Sequence, residues 1–290
     1  MATQVQKVQK VLVHLSGGNA DAQCARFVQS ITGHFGGQDE TQVVCYLDNN
    51  RFILSQGAGQ RVPLKHLSVT QAAAIPLDVQ DRGVDVAVAV ILQTANQRVL
   101  LTRRAAGLRI FPGLWVPPGG HVELEETLVA AGLRELHEET GLEVEQNDVS
   151  PQILGLWESA YPARLARGSP FRHHIVTFML LHCPHTHQEL QVCLRPDPAE
   201  VSACLWVDRD LARSIVGGAD GEEGGLQPPP PPAVRVTEVL PDGALRGSLL
   251  PGAVLCARAP AEGPDVERVI TGTKYALGLW LDSLAPRQSC

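Results

Sequence analysis

The stretch Pro117–Val144, "PPGGHVELEETLVAAGLRELHEETGLEV", decides how this chain is read. Leu128, Val129, Gly132, Leu133 and Leu136 recur at helical spacing and give one broad apolar side. The helix they predict begins near Glu126 and Thr127 and stops at Gly141, a residue suited to the left-handed conformation that closes helices. Gly132 costs about 1 kcal/mol against alanine in a helix, a cost that close packing on a sheet would explain. The other side carries Arg134, Glu135, Glu138 and Glu139. These carboxylates crowd the carbonyl end of the helix, where the macrodipole favours cations. At i+3 and i+4 they also repel one another. A solvated charged face is the plain alternative for any glutamate-rich helix. A hard divalent cation, Mg²⁺ or Mn²⁺, would offset both penalties, because such ions prefer oxygen donors.

The spacing separates the two readings. The string fits G-x5-E-x7-R-E-U-x-E-E-x-G-U, with U a bulky aliphatic, through Gly120, Glu126, Arg134, Glu135, Leu136, Glu138, Glu139, Gly141 and Leu142. At average usage of about 7% for glycine and about 6% for each charged type, a chance match is on the order of one in a million. The string resembles the signature of the Nudix hydrolases, which cleave nucleoside diphosphates linked to another moiety. The resemblance implies an α/β chain of the α+β type, a Nudix-like αβα sandwich with a mixed sheet over residues 84–217. It also implies that Glu135, Glu138 and Glu139 ligate Mg²⁺ or Mn²⁺, with Glu135 or Glu139 serving as base or orienting the attacking water. Arg134 would then hold Glu135 or Glu126 in place, and Glu126 would be a structural partner or reach the outer shell of the metal. Gly119 and Gly120 would let the backbone turn tightly and aim a carbonyl at the metal. Glu200, six residues before Trp206 in "EVSACLW", stands where several members of the family place a further metal-binding or base glutamate; a solvated loop glutamate is the alternative.

Around this core the order is strand-rich. "KVLVHL" and "QVVCYLDNNRFILSQ" alternate, with Asp48-Asn49-Asn50 as the turn in the second, so residues 1–80 read as a β-rich N-terminal segment. "VDVAVAVIL" reads as a buried strand and "RVLLTRR" as its hairpin partner. "ILGLWESAYP", "HHIVTFMLLHC" and "VSACLWVD" follow as strands, then a short helix near Leu211 to Val216. Mixed strands and helices imply helices packed on the faces of a sheet. Residues 218–233 read as a Gly/Pro-rich flexible linker. Residues 234–290 read as a C-terminal extension with strand patterns in "AVRVTEVL" and "GAVLCARA".

Composition excludes some classes. The chain has 290 residues, 44% of them hydrophobic, and a net charge of -7. Its acidic balance supplies no global attraction to nucleic acid or to anionic membrane. The longest apolar run, Val84 to Leu92, is interrupted by Asp85 and too short to span a bilayer. The seven cysteines show no paired metal spacing and read as reduced thiols, so a cytoplasmic location is expected. "HCPHTH" has no second half for a zinc site. His173 and His174 are expected at the surface, with substrate contact as the alternative, and Trp115 and Trp157 in the core, with stacking on a base as the alternative.

The substrate is less defined. Arg103, Arg104 and Arg109 could pair with substrate phosphates, or shield a sheet edge. The segment around them resembles the coenzyme A pattern of some Nudix members, but Ala105 replaces its serine and Val116-Pro117-Pro118 its Val-x-Phe-Pro. The leading expectation is a nucleoside diphosphate-linked small molecule or an RNA 5′ end, with the mRNA cap or a capped dinucleotide first. Coenzyme A or an NADH-type dinucleotide is the alternative. A non-catalytic nucleotide-binding module is a third, against which the intact glutamates argue. No obligate protein partner and no membrane association are expected.

Overall fold

The computed structural model describes residues 10–17, 21–66, 82–161, 172–218, 229–257 and 268–285. They form two compact units, neither continuous in sequence. One comprises Met1–Val88, Gly120–Ala131 and Gly155–Thr177; the other comprises Ala89–Gly119, Gly132–Leu154 and Phe178–Cys290. Chain connections pass between them inside single elements, so sequence order does not mark the division.

In the first unit the alternating N-terminal segments form strands β1 (Leu12–Ser16), β2 (Gln23–Cys24), β3 (Glu40–Asp48), β4 (Arg51–Ser55) and β5 (Arg61–His66). β3 and β4 are a hairpin whose turn residues Asn49 and Asn50 have φ of 45° and 61°. Asparagine tolerates that left-handed pair, which matches the twist of the flanking strands. β4 lies parallel to β1, and β3 antiparallel to β5. β5 in turn runs parallel to β10 (Ser150–Tyr161), with Leu64 opposite Leu156. β6 (Asp85–Gln93) and β11 (Arg172–His182) complete the order β6-β11-β10-β5-β3-β4-β1. Leu12 then pairs back with Asp85, so the order closes on itself and removes two exposed sheet edges.

A buried polar node braces this unit. Glu158 on β10 accepts hydrogen bonds from the amides of Ile31 (2.7 Å) and Thr32 (2.8 Å) and from the Thr32 hydroxyl (2.7 Å). These amides open the one-turn helix α1 (Ile31–His34). His173 lies 3.0 Å from the same carboxylate through Nε2, and its Nδ1 donates to the Phe27 carbonyl at 2.6 Å. His173 is therefore buried, not at the surface as the sequence suggests, because its two ring nitrogens have fixed partners.

In the second unit β7 (Val99–Arg104) pairs antiparallel with β12 (Val201–Val207). β12 pairs with β13 (Val234–Val239), and β13 with β14 (Leu245–Leu250). β8 (Trp115–Val116) lies beside β7, and β9 (Gly119–His121) begins at this unit's Gly119. Helix α2 (Leu128–Thr140) starts in the first unit and ends in this one, which also holds α3 (His187–Cys193), α4 (Arg209–Gly217), α5 (Gly252–Leu255) and α6 (Thr271–Ser283). Trp115 and Trp157 are both buried. The six described cysteines are free, and Cys290 lies outside the described residues. No described helix is long and apolar enough to cross a membrane.

One C-terminal expectation changes, and a second helix there has no sign in the sequence. "GAVLCARA" is not a strand where it is described: Gly252–Leu255 is helical after Pro251. Proline cannot donate to a ladder, and a Cβ on Gly252 would sit 2.1 Å from the Pro231 carbonyl, a backbone approach that favours a compact turn. Helix α6 has no strand-breaking or capping signature, since its N-cap Ile270 makes no side-chain cap bond. Burial of Thr273, Ala276, Leu277 and Trp280 on one side forms it instead. Trp280 donates to Gln93 Oε1 at 2.7 Å, and the buried Lys274 ammonium donates to the carbonyls of Gly218 (2.8 Å) and Ala257 (2.9 Å). Of the linker expected at 218–233, residues 219–228 lie outside the described residues.

Burial alone would push the Glu158 carboxyl up, but His173 and the Thr32 donors outweigh it and hold it below the ordinary carboxylate range. Its stabilisation is therefore complete above that ordinary range and fades as pH falls through the depressed native value. Glu158→Ala should cost about 3 kcal/mol at pH 7 and much less at acid pH, as measured by urea unfolding across pH.

Candidate functional site

The catalytic candidates sit on α2, which starts where sequence predicts. The Thr127 hydroxyl accepts from the Ala130 amide at 3.1 Å and its carbonyl from Ala131 at 3.0 Å, an N-cap arrangement. Glu126, one residue earlier, accepts from the Glu123 amide at 3.0 Å. At the other end Gly141 takes φ +69°, and a Cβ there would meet Arg195 Cβ at 2.6 Å, so glycine is required twice over. The amides of Arg195 (2.7 Å) and Asp197 (3.2 Å) donate to the carbonyls of Thr140 and Glu139. A loop thus closes the carbonyl end that the glutamates crowd.

The same loop delivers Glu200. Asp197 accepts from the amides of Ala199, Glu200 and Val201, and the Glu200 carbonyl accepts from Ala105 at 2.8 Å. A bulge between Val201 and Ala203 follows at once, a device that re-aims side chains beside sites. Glu139 is 4% exposed. Burial pushes its carboxyl up to about 8; Arg104 and the Gly119 amide, which donates to it, pull the other way, while Glu135 and Glu200 push it higher. The Thr102 hydroxyl lies 3.5 Å from Glu139 Oε2. Glu135 is also raised, by burial first, then against Arg134 by Glu138 and Glu200. Arg134 Nη1 donates at 2.9 Å to both Glu135 and Glu138. Cys204 beside them is pushed up to about 12 by burial and by Glu139, which keeps it an inert thiol.

Glu135, Glu200, Arg104 and Gly119 therefore all act on Glu139, while Arg134 binds both Glu135 and Glu138. Among the described residues no three His, Cys, Asp or Glu side chains form a ready-made metal cage. The donor chemistry still fits a hard divalent ion: the groups are all oxygen, mutually repelling, and Glu139 is buried where an added cation would favour its charged form. Gly119 and Gly120 do not make the expected tight turn. They lie in the extended strand β9, where Gly119 brings its amide to Glu139.

The arginines divide. Arg104 is the one whose charge reaches Glu139, and its Nε is held by the Ile110 carbonyl at 3.0 Å. Arg103 lies over the buried Trp115 ring at 5.7 Å and donates to Ser202 at 2.9 Å. Arg109 is exposed on the loop between β7 and β8. Thr102 was missed by sequence reading, although its period-2 spacing from Arg104 put both on one strand face. The capping role of Arg195 and Asp197 had no local signal.

A NUDIX domain model matches residues 83–223. The "m7GpppN-mRNA hydrolase NUDT17" of Danio rerio is 54% identical over 97% of this chain and 98% of its own. The proteins of that name from Xenopus laevis and Homo sapiens are 48% and 44% identical, over 98% and 89% of this chain and 99% and 84% of theirs.

With a native value near 8, Glu139 destabilises the metal-free fold once the unfolded chain has ionised: the penalty is absent below the ordinary carboxylate range, grows through it and is complete above about 8. Glu139→Gln should therefore raise the melting temperature of metal-free protein at pH 8.5 and leave it nearly unchanged at pH 4, as read by calorimetry.

Proposed function

This chain belongs to the Nudix hydrolases and is a pyrophosphohydrolase of that family, and from that premise we propose that its substrate is the 5′ cap of mRNA or a capped dinucleotide. The observation that carries the reading is the buried Glu139 beside Glu135, Glu200 and Arg104, in a chain that keeps every position of the family signature. The relatives named as m7GpppN-mRNA hydrolases, which match it nearly end to end, support the choice of substrate. Residues 84–217 would be the hydrolase domain, flanked by the N-terminal segment and the C-terminal extension, and the protein would act in the cytoplasm.

Nudix hydrolases generally use divalent ions; here Glu135, Glu138 and Glu139, with Glu200 and the Gly120 carbonyl, would hold Mg²⁺ or Mn²⁺. Bound there, the ion would supply Lewis acidity at a phosphate and acidify a water. Glu139 or Glu135 would take the proton of the attacking water. Arg134 would hold Glu135 and Glu138 at fixed spacing. Arg104 would balance the carboxylates and meet a substrate phosphate, and Arg103 and Arg109 would add to phosphate binding.

The test is hydrolysis with Mg²⁺ or Mn²⁺ of m7GpppA, capped RNA, NADH, coenzyme A and ADP-ribose. Capped substrates should turn over fastest, and release of m7GMP or m7GDP would identify the phosphorus attacked. Glu139→Gln should lower kcat at least about a hundredfold while circular dichroism stays unchanged. Faster turnover of NADH or coenzyme A would overturn the cap reading, and an undiminished Glu139→Gln rate would overturn the site.

A further inference from the structure

We infer that Asn50, on the β3–β4 hairpin, is a positioning residue for hydrolysis: it holds Glu125 in a left-handed conformation that sets the start of α2, and so the placement of the carboxylates about two to three turns on. The inference rests on the reading of Glu135, Glu138 and Glu139 as the metal-holding set.

Glu125 has φ +66°. A glutamate has none of the local tolerance for that region that Asn49 and Asn50 bring to their own turn. Something outside its own chain neighbourhood must keep it there, and the geometry names the group. Asn50 Oδ1 accepts from the Glu125 amide at 2.7 Å, and Asn50 Nδ2 donates to Glu125 Oε1. One amide side chain therefore grips both the backbone and the side chain of the same residue. The contact joins positions 75 apart in sequence.

The loop is fixed on both sides of that grip. Upstream, the Val122 amide donates to Val86 at 3.1 Å, the Val122 carbonyl accepts from Val11 at 3.3 Å, and Glu123 bridges Lys10. Downstream, Glu126 closes onto the Glu123 amide and Thr127 caps α2. The residue of positive φ lies between a paired segment and the capped first turn of α2. At 1.5 Å per residue α2 transmits a change at its start directly to Glu135–Glu139. A misplacement of about 1 Å can cost about a hundredfold in rate.

The variant that separates this role from simple support is Asn50→Gly. It converts the turn to Asn-Gly, the pair best suited to a two-residue hairpin, so the N-terminal strands lose nothing while the clamp disappears. Its melting temperature should equal or exceed that of the parent. Amide hydrogen exchange over residues 123–131 should speed at least tenfold, a readout that needs neither metal nor substrate. Turnover of m7GpppA with Mn²⁺ should fall roughly ten- to a hundredfold in kcat with little change in KM. The double variant Asn50→Gly with Glu125→Gly should regain most of the lost kcat, because glycine adopts positive φ without help. Unchanged exchange in Asn50→Gly would overturn the clamp whatever the substrate proves to be. Unchanged kcat, a lowered melting temperature, or a double variant as slow as the single would overturn the positioning role. Failure of the parent protein to cleave m7GpppA would count against the cap reading alone; the exchange comparison still decides the clamp.

Discussion

Glu139 is a carboxylate sunk among strands at the carbonyl end of a helix, with two more carboxylates acting on it. Each part of that placement costs free energy: desolvation, the helix dipole and like-charge repulsion all favour the proton over the charge. The surroundings are arranged around this cost. Arg104 and the Gly119 amide supply partial compensation, Arg134 binds both Glu135 and Glu138, and the amides of Arg195 and Asp197 satisfy the carbonyls of Thr140 and Glu139. What remains uncompensated is the charge that, on the proposed reading, a divalent ion would bring. The site is thereby destabilised for the fold and suited to the cation, a trade common where chemistry is done.

The elements nearest this constraint were the ones legible in sequence. Gly120 through Leu142 announces its helix by apolar spacing, its stop by Gly141, and its family by the carboxylate offsets, all within one local string. Strands β6, β7, β11 and β12 are equally plain, because their alternation or apolar runs are local too. Legibility ends where contacts are distant. Nothing near Thr102 says that it faces Glu139, and nothing near Arg195 says that it caps α2. Helix α6 lacks caps and contains two glycines, and only the burial of Trp280 and its neighbours makes it a helix. His173 reads as a surface residue until Glu158 and Phe27, far away in sequence, take both of its nitrogens.

The flanking segments are therefore not passive additions. From the N-terminal side, β1 pairs back on β6 to close a ring of strands, and the β3–β4 turn reaches the loop that launches α2. On the C-terminal side, Trp115, in the strand before the glycine pair, donates its amide to the Arg268 carbonyl and accepts from Ile270. A family signature confined to 23 residues is held in place by chain from both ends.

That last pairing has a consequence for biogenesis. Trp115 and Val269 are about 150 residues apart and bridge in parallel, so this pairing forms only after Val269 has been synthesised. Contacts of such long range are slow to form, and a nascent chain awaiting them exposes the slot that Trp280 will fill. A chain released before Val269 would carry every glutamate of the signature without this pairing or the Trp280–Gln93 hydrogen bond.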